Sequence, residues 1–150
     1  MITISQAHQD YLKVIYQLTE ANGRATTNQI AAALEVTPAS VSSMLRKMAE
    51  GEEPLLYYQK HKGVQLTAVG QQTSLEILRH HRLLKTFLCE KLGFNQDEAH
   101  EEANRLDHVL TEELEARIAA VLEHPTHDPH GQPIPTVELE IPETSNREVS

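Results

Sequence analysis

The sequence predicts a mainly α chain: a helix-turn-helix carrying a β-hairpin wing, followed by an all-helical module. Three observations predict it. Helical periodicity bounded by cap residues recurs along most of the chain, and one pair of β-prone runs flanks "KHKG". The charge is also uneven: residues 1–70 carry six Lys/Arg and six Asp/Glu, residues 71–150 seven against sixteen. The acidic excess thus falls on the second module.

"SQAHQDYLKVIYQLTEA", residues 5–21, sets Tyr11, Leu12, Ile15, Tyr16 and Leu18 largely on one helical face. "NGR" ends that helix, with Gly23 free to take the left-handed cap conformation. In "TTNQIAAALEVTPASVSSMLRKMAE", Thr26 or Thr27 caps a short helix through Leu34, and "EV" makes a tight turn. Thr37 then caps a second helix that begins with Pro38, where the missing N–H is not needed. Ile30, Ala31 and Leu34 pack against Val41, Met44, Leu45 and Met48. Ser40, Ser42, Ser43, Arg46 and Lys47 are left outward, a pattern that admits a helix to the DNA major groove.

"PLLYYQKHKGVQLT" supplies the wing, turned by Gly63, with Lys60, His61 and Lys62 at its tip to reach phosphate or minor groove. Thr67 caps a long helix from Ala68 to about Leu92, with Leu75, Leu78, Leu83, Phe87 and Leu88 as core positions and Gly93 closing it. A further helix runs from Asp97 to about Leu110. Thr111 caps a last one bearing Leu114, Ile118, Val121 and Leu122, with Glu112 and Glu113 in its electropositive first turn. From Pro125 onward, five prolines and a polar end indicate an extended loop and a tail.

With 150 residues, 39% of them hydrophobic, the chain can build one or two small cores. It has no membrane-length apolar run and no signal-peptide pattern at its start. The single cysteine, Cys89, excludes an internal disulfide and suits a reducing cytoplasm. A net charge of −9 argues against a nucleic-acid partner at face value, but Val36–Ala49 and Pro54–Leu75 contain no acid. The alternative is an ordinary three-helix bundle with exposed Ser and Lys. The two adjacent acid-free elements favour DNA, with Thr27, Thr37, Pro38, Ser40, Ser42, Ser43, Arg46, Lys47, Lys60 and Lys62 as the candidate contacts.

In "AHEEANRLDHVL", residues 99–110, an uninterrupted helix puts His100, Asn104, Asp107 and His108 on one stripe. That stripe is either part of a metal site or a solvated polar face. Two other features bear on the choice: "RHHRLLK" brings His80 and His81, and Asp10 begins an apolar run where a carboxylate wants a partner. Carboxylate, amide oxygen and imidazole without thiolate suit Mn²⁺ or Fe²⁺. "EHPTHDPHG" gathers His124, His127, Asp128 and His130 in a proline-punctuated loop, for which a structural role is favoured. No glycine-rich phosphate loop, nucleophile elbow or His-Glu-x-x-His occurs, so the chain is not expected to be an enzyme. A small helical metal-binding or oxygenase-like protein is the alternative of another class, and it needs an open cleft.

The pieces "YLKVIYQL", "IAAALEVTPASVSSMLRKM", "GVQLTAVG", "RHHRLLKTFLCEKLG", "HEEANRLDHVLTEELEARI" and "DPHGQPIP" run in order over about residues 5–135. Together they resemble the diphtheria toxin repressor family of metal-dependent transcriptional regulators, especially its manganese-transport-regulator branch. The resemblance implies a winged helix-turn-helix DNA-binding domain over 1–72, a helical metal-binding and dimerisation domain over 73–135 and a flexible tail over 136–150. It also implies a homodimer whose binding to a palindromic operator is metal-activated and represses metal-ion homeostasis genes. The SH3-like third domain of longer members is expected to be missing.

Carried over by position, the family's principal site falls on Asp10, Asn104, Asp107 and His108, with Mn²⁺ (or Fe²⁺) as the ion. A second site falls on His81, Lys85 and His100. This chain departs from the pattern at four positions: Asn104 stands for a cysteine or glutamate, Asp107 shortens a glutamate, and Lys85 and Lys13 each replace an acid. A winged-helix regulator that no longer needs metal, with Lys85 and Lys13 as built-in cations, is therefore a further alternative.

Overall fold

A computed structural model describes residues 5–142 as six α-helices and one two-stranded antiparallel sheet. The helices are α1 (Gln6–Asn22), α2 (Thr27–Leu34), α3 (Pro38–Met48), α4 (Ala68–Leu92), α5 (Gln96–Leu106) and α6 (Glu112–Val121). The strands are β1 (Leu56–Gln59) and β2 (Gly63–Leu66). The chain divides into two compact units, Met1–Ser74 and Leu75–Ser150, and the boundary falls within α4.

Short-range capping chemistry sets the boundaries in the first unit. Ser5 caps α1 by accepting from His8 N, and Gly23, at φ 82°, returns its N–H to Thr19 O. Thr26, rather than Thr27, caps α2, in a reciprocal capping box with Gln29. Glu35 takes the left-handed conformation and turns the chain, after which Thr37 caps α3 through Ser40 N with Pro38 in the first turn. In the hairpin, Leu56 pairs with Leu66 and Gln59 with Gly63, and Ala25 adds a bridge to Val64. Gly63 is required twice over: its φ is +87°, and a Cβ there would stand 2.9 Å from Ala25 O. Leu12, Ile15, Ile30, Val41, Leu45, Leu56 and Val64 are fully buried and form this unit's core.

The second unit packs Leu83, Leu84, Ala103, Ile118, Ala119, Leu122 and Ile134 into one cluster, with Phe87 and Leu110 against it. Thr111 caps α6 as expected. The proline-rich segment is more ordered than an extended loop: His127 bridges Pro133, Ile134 is buried, and Thr136 closes a turn onto Glu140. Residues 143–150 of the expected tail lie outside the described residues. α5 also departs from expectation. It stops at Leu106, and Asp107–Val109 form a single 3₁₀ turn. Leu110 is extended and leads into the Thr111 cap, which is extended too, so helical bonding cannot run through to α6. No helix among the described residues is long and apolar enough to cross a membrane.

Candidate metal centre and nucleic-acid interface

The first unit presents its polar residues as the sequence suggests. Pro38, Ser40, Ser43, Arg46 and Lys47 are exposed on α3, whereas Ser42 and the α2 residue Thr27 are half-buried. The Thr37 hydroxyl is committed to the cap, accepting from Ser40 N and donating to Ser40 Oγ at 2.9 Å. Lys60 and Lys62 are exposed at the hairpin turn, where His61 has a φ of 70°. The exposed Arg24, which sequence reasoning missed, donates to Lys62 O at 3.0 Å and so fixes the wing tip. Only the long separation of 38 residues hid that contact.

Asp10 lies in the same unit, half-exposed, with Lys13 Nζ 3.6 Å from its carboxylate. The Lys13 side chain is nearly buried, which helical periodicity alone did not indicate.

In the second unit the 3₁₀ turn breaks the single stripe. Asp107 points inward and is 3% exposed, Asn104 is half-buried, and His108 and His100 are exposed. Asp107 Oδ2 lies 3.1 Å from Nδ1 of the buried His81, and His81 Nε2 lies 3.3 Å from His100 Nδ1. This contact links a member of the expected principal set to the expected second set. A carboxylate only accepts, so His81 Nδ1 carries a hydrogen and donates it to Asp107 Oδ2. A carboxylate behind an imidazole in this way fixes the tautomer and raises the ring's basicity as a ligand.

Two nitrogens held by one first-row divalent ion at about 2.1 Å each stand roughly 3.0–3.4 Å apart. The His81–His100 pair meets that spacing. Among the described residues, however, no group of three or more His, Cys, Asp or Glu side chains is placed so that it could hold a metal ion. The donor types fit a hard or borderline ion, since they comprise carboxylate, amide and imidazole.

His80 does not join these imidazoles. Its Nε2 lies 2.6 Å from Glu115 Oε1, while Arg79 Nε donates to Glu115 Oε2 at 2.7 Å. Burial disfavours the charged ring, but the hydrogen bond and charge of Glu115 outweigh it, so the His80 pKa is raised. Burial alone would raise Glu115, yet His80 and Arg79 hold it below its ordinary value. His124, His127 and His130 also part company. His127 sits beside Thr126 Oγ1 at 3.0 Å, and His130 Nδ1 lies 3.1 Å from Lys85 Nζ. Asp128 of the same loop completes this last contact, a pairing with Lys85 that the sequence pattern did not show. Its buried carboxylate stands 3.0 Å from Lys85 Nζ.

Residues 3–64 match the model "Iron dependent repressor, N-terminal DNA binding domain", and residues 67–136 match "Iron dependent repressor, metal binding and dimerisation domain". The chain is 34% identical over 125 residues to the iron-dependent repressor IdeR of Mycobacterium leprae, covering 83% of this chain and 54% of that protein. It is 31% identical to the diphtheria toxin repressor of Corynebacterium diphtheriae over 125 residues, again 83% of this chain and 54% of the relative. It thus spans about half the length of the curated relatives it matches. A solved manganese-dependent transcriptional repressor in complex with manganese superposes with a TM-score of 0.82 at 40% identity, over 91% of this chain and 62% of that one. The chain belongs to the iron-dependent repressor family, carrying both its DNA-binding domain and its metal-binding and dimerisation domain.

Proposed function

We propose that the chain is a homodimeric transcriptional repressor whose DNA binding is activated by Mn²⁺ or Fe²⁺, that it controls metal-ion homeostasis genes, and that it is a cytoplasmic regulator rather than an enzyme. The observation that carries the reading is the buried Asp107 carboxylate, held 3.1 Å from His81 Nδ1 and followed directly by the exposed imidazole of His108. The manganese-bound repressor of similar fold supports it.

The principal ligands in this reading are Asp10, Asn104, Asp107 and His108; His81 and His100 supply the imidazoles of a second set whose third position is Lys85. A bound divalent ion would supply positive charge to these donors. Asp107, already fixed against His81, contributes an oriented carboxylate, and the exposed His108 adds an imidazole. Asp10 belongs to the first unit and Asn104, Asp107 and His108 to the second. In the dimer the two α3 helices then address operator half-sites about one DNA turn apart. Arg46 and Lys47 meet phosphate, Ser40 and Ser43 let the helix seat in the groove, and Lys60 and Lys62 contact the flanking backbone. Of Leu114, Ile118, Val121 and Leu122, expected at a two-fold interface, Ile118 and Leu122 are instead buried in the core cluster, and the exposed Leu114 and Val121, with Val109 on the 3₁₀ turn, form the two-fold surface in this reading.

Gel-shift titration with Mn²⁺, Fe²⁺ and Zn²⁺ on the DNA upstream of its own gene or a metal-transporter gene tests this. Retarded complex should appear with metal and vanish with chelator; binding indifferent to chelator contradicts the reading.

A further inference from the structure

We propose that Lys85 is a fixed cation that takes the place of a second divalent ion, pinning the 125–135 loop to α4 and closing the His81–His100–His130 cluster to metal. This rests on the metal-dependent reading given above.

Lys85 is 2% exposed and sits one helical turn beyond His81 on α4. Its ammonium is bracketed by loop donors, Asp128 Oδ2 at 3.0 Å and His130 Nδ1 at 3.1 Å. An ammonium only donates, so His130 Nδ1 is the acceptor and its lone pair is spent. The other Asp128 oxygen is spent as well, accepting from His130 N and Gln132 N at 2.9 Å each. Asp128 Oδ2 receives no aligned hydrogen bond, so the ammonium's charge is what compensates it. His100 stands between the two halves of the cluster, edge-on to His81 at 4.9 Å and to His130 at 6.5 Å between ring centres.

The donors that would complete a divalent site beside His81 and His100 are therefore already held by Lys85. The same face of α4 secures the rest of the loop without metal, through Arg82 Nη1 to Pro133 O at 2.6 Å and Arg79 Nη1 to Pro135 O at 2.8 Å. A cation is built into the fold where an exchangeable one would have to bind.

The test is metal stoichiometry on the full chain, read from free Mn²⁺ by paramagnetic resonance and repeated with Co²⁺ by absorbance. Lys85→Glu should bind one more ion per protomer than the wild type. Equal stoichiometry in a Lys85→Glu protein shown folded by circular dichroism overturns the proposal. A second arm does not depend on that variant folding. His130→Ala, at an exposed position, should leave the wild-type stoichiometry unchanged, and loss of one ion per protomer overturns the proposal. The comparison is a difference between proteins, so it stays informative if the wild type binds no metal. That result would refute the metal-dependent reading instead.

Discussion

Replacing Lys85 by Met removes the cation from a carboxylate whose side chain is completely buried. Breaking a buried ion pair from one side costs about 3–5 kcal/mol, because a charge is left uncompensated. Asp128 keeps its two backbone N–H donors, so the lower end applies, about 3 kcal/mol. For a chain of this size that corresponds to a fall in Tm of roughly 6–12 °C. Thermal and urea unfolding followed by circular dichroism in the presence of chelator measures it without any metal contribution. Adding Asp128→Asn should recover much of the loss, since the amide oxygen still accepts the loop's N–H groups and no buried charge remains. A double-mutant cycle then returns a coupling of about 1–3 kcal/mol. If Lys85→Met lies within about 0.5 kcal/mol of the wild type, or if the two substitutions simply add, the ammonium does not hold the loop and the reasoning is refuted.

Other consequences follow from the same geometry. Arg46→Ala removes an exposed base from α3, and should weaken DNA binding and lower the salt dependence by about one counterion while metal uptake is unchanged; anisotropy titrations at several salt concentrations read both. The His80–Glu115 pair sets a pH window. The raised His80 pKa stabilises the fold below the ordinary imidazole value of 6.5 and is lost as pH climbs through the folded value, whereas the lowered Glu115 pKa stabilises above 4.5 and is lost as pH falls through its folded value. His80→Gln should therefore flatten urea stability on the alkaline side of that window, and an unchanged slope there would count against the pair. Gly63→Ala forces a side chain into a left-handed position against Ala25 O, at a cost of about 1–3 kcal/mol in urea unfolding.

Much of the fold was legible because it is written in local chemistry. Thr26, Thr37 and Thr111 each cap a helix within three residues of the group they satisfy, and Gly23, Gly63 and Gly93 sit where φ is positive. The exposed face of α3 was legible for the same reason, since periodicity there separates Val41, Leu45 and Met48 from Ser40, Ser43, Arg46 and Lys47. The end of α5 was not, because the pattern through Asp107 and His108 reads equally as one more helical turn. What stopped the helix is the extended approach to the next cap.

The buried basic face of α4 was hidden for a different reason. Arg79, Arg82 and Lys85 look like a solvated stripe until their partners in the loop at 128–135 are known, and two of these contacts span 56 and 51 residues. His80 and His81 are neighbours in sequence and read there as one supply of imidazoles. The helix points them differently, one to Glu115 and the other to Asp107.

In the proposed switch, metal controls DNA binding through Asp107 and His108. The most direct test measures operator affinity of the 150-residue chain with Mn²⁺ and with chelator, for the wild type and for His108→Ala, alongside sedimentation to establish the dimer. The expected result is tight binding only for the metal-loaded wild type, with His108→Ala dimeric but unresponsive to Mn²⁺. Equal affinity with and without metal, or a full manganese response in His108→Ala, would contradict the account.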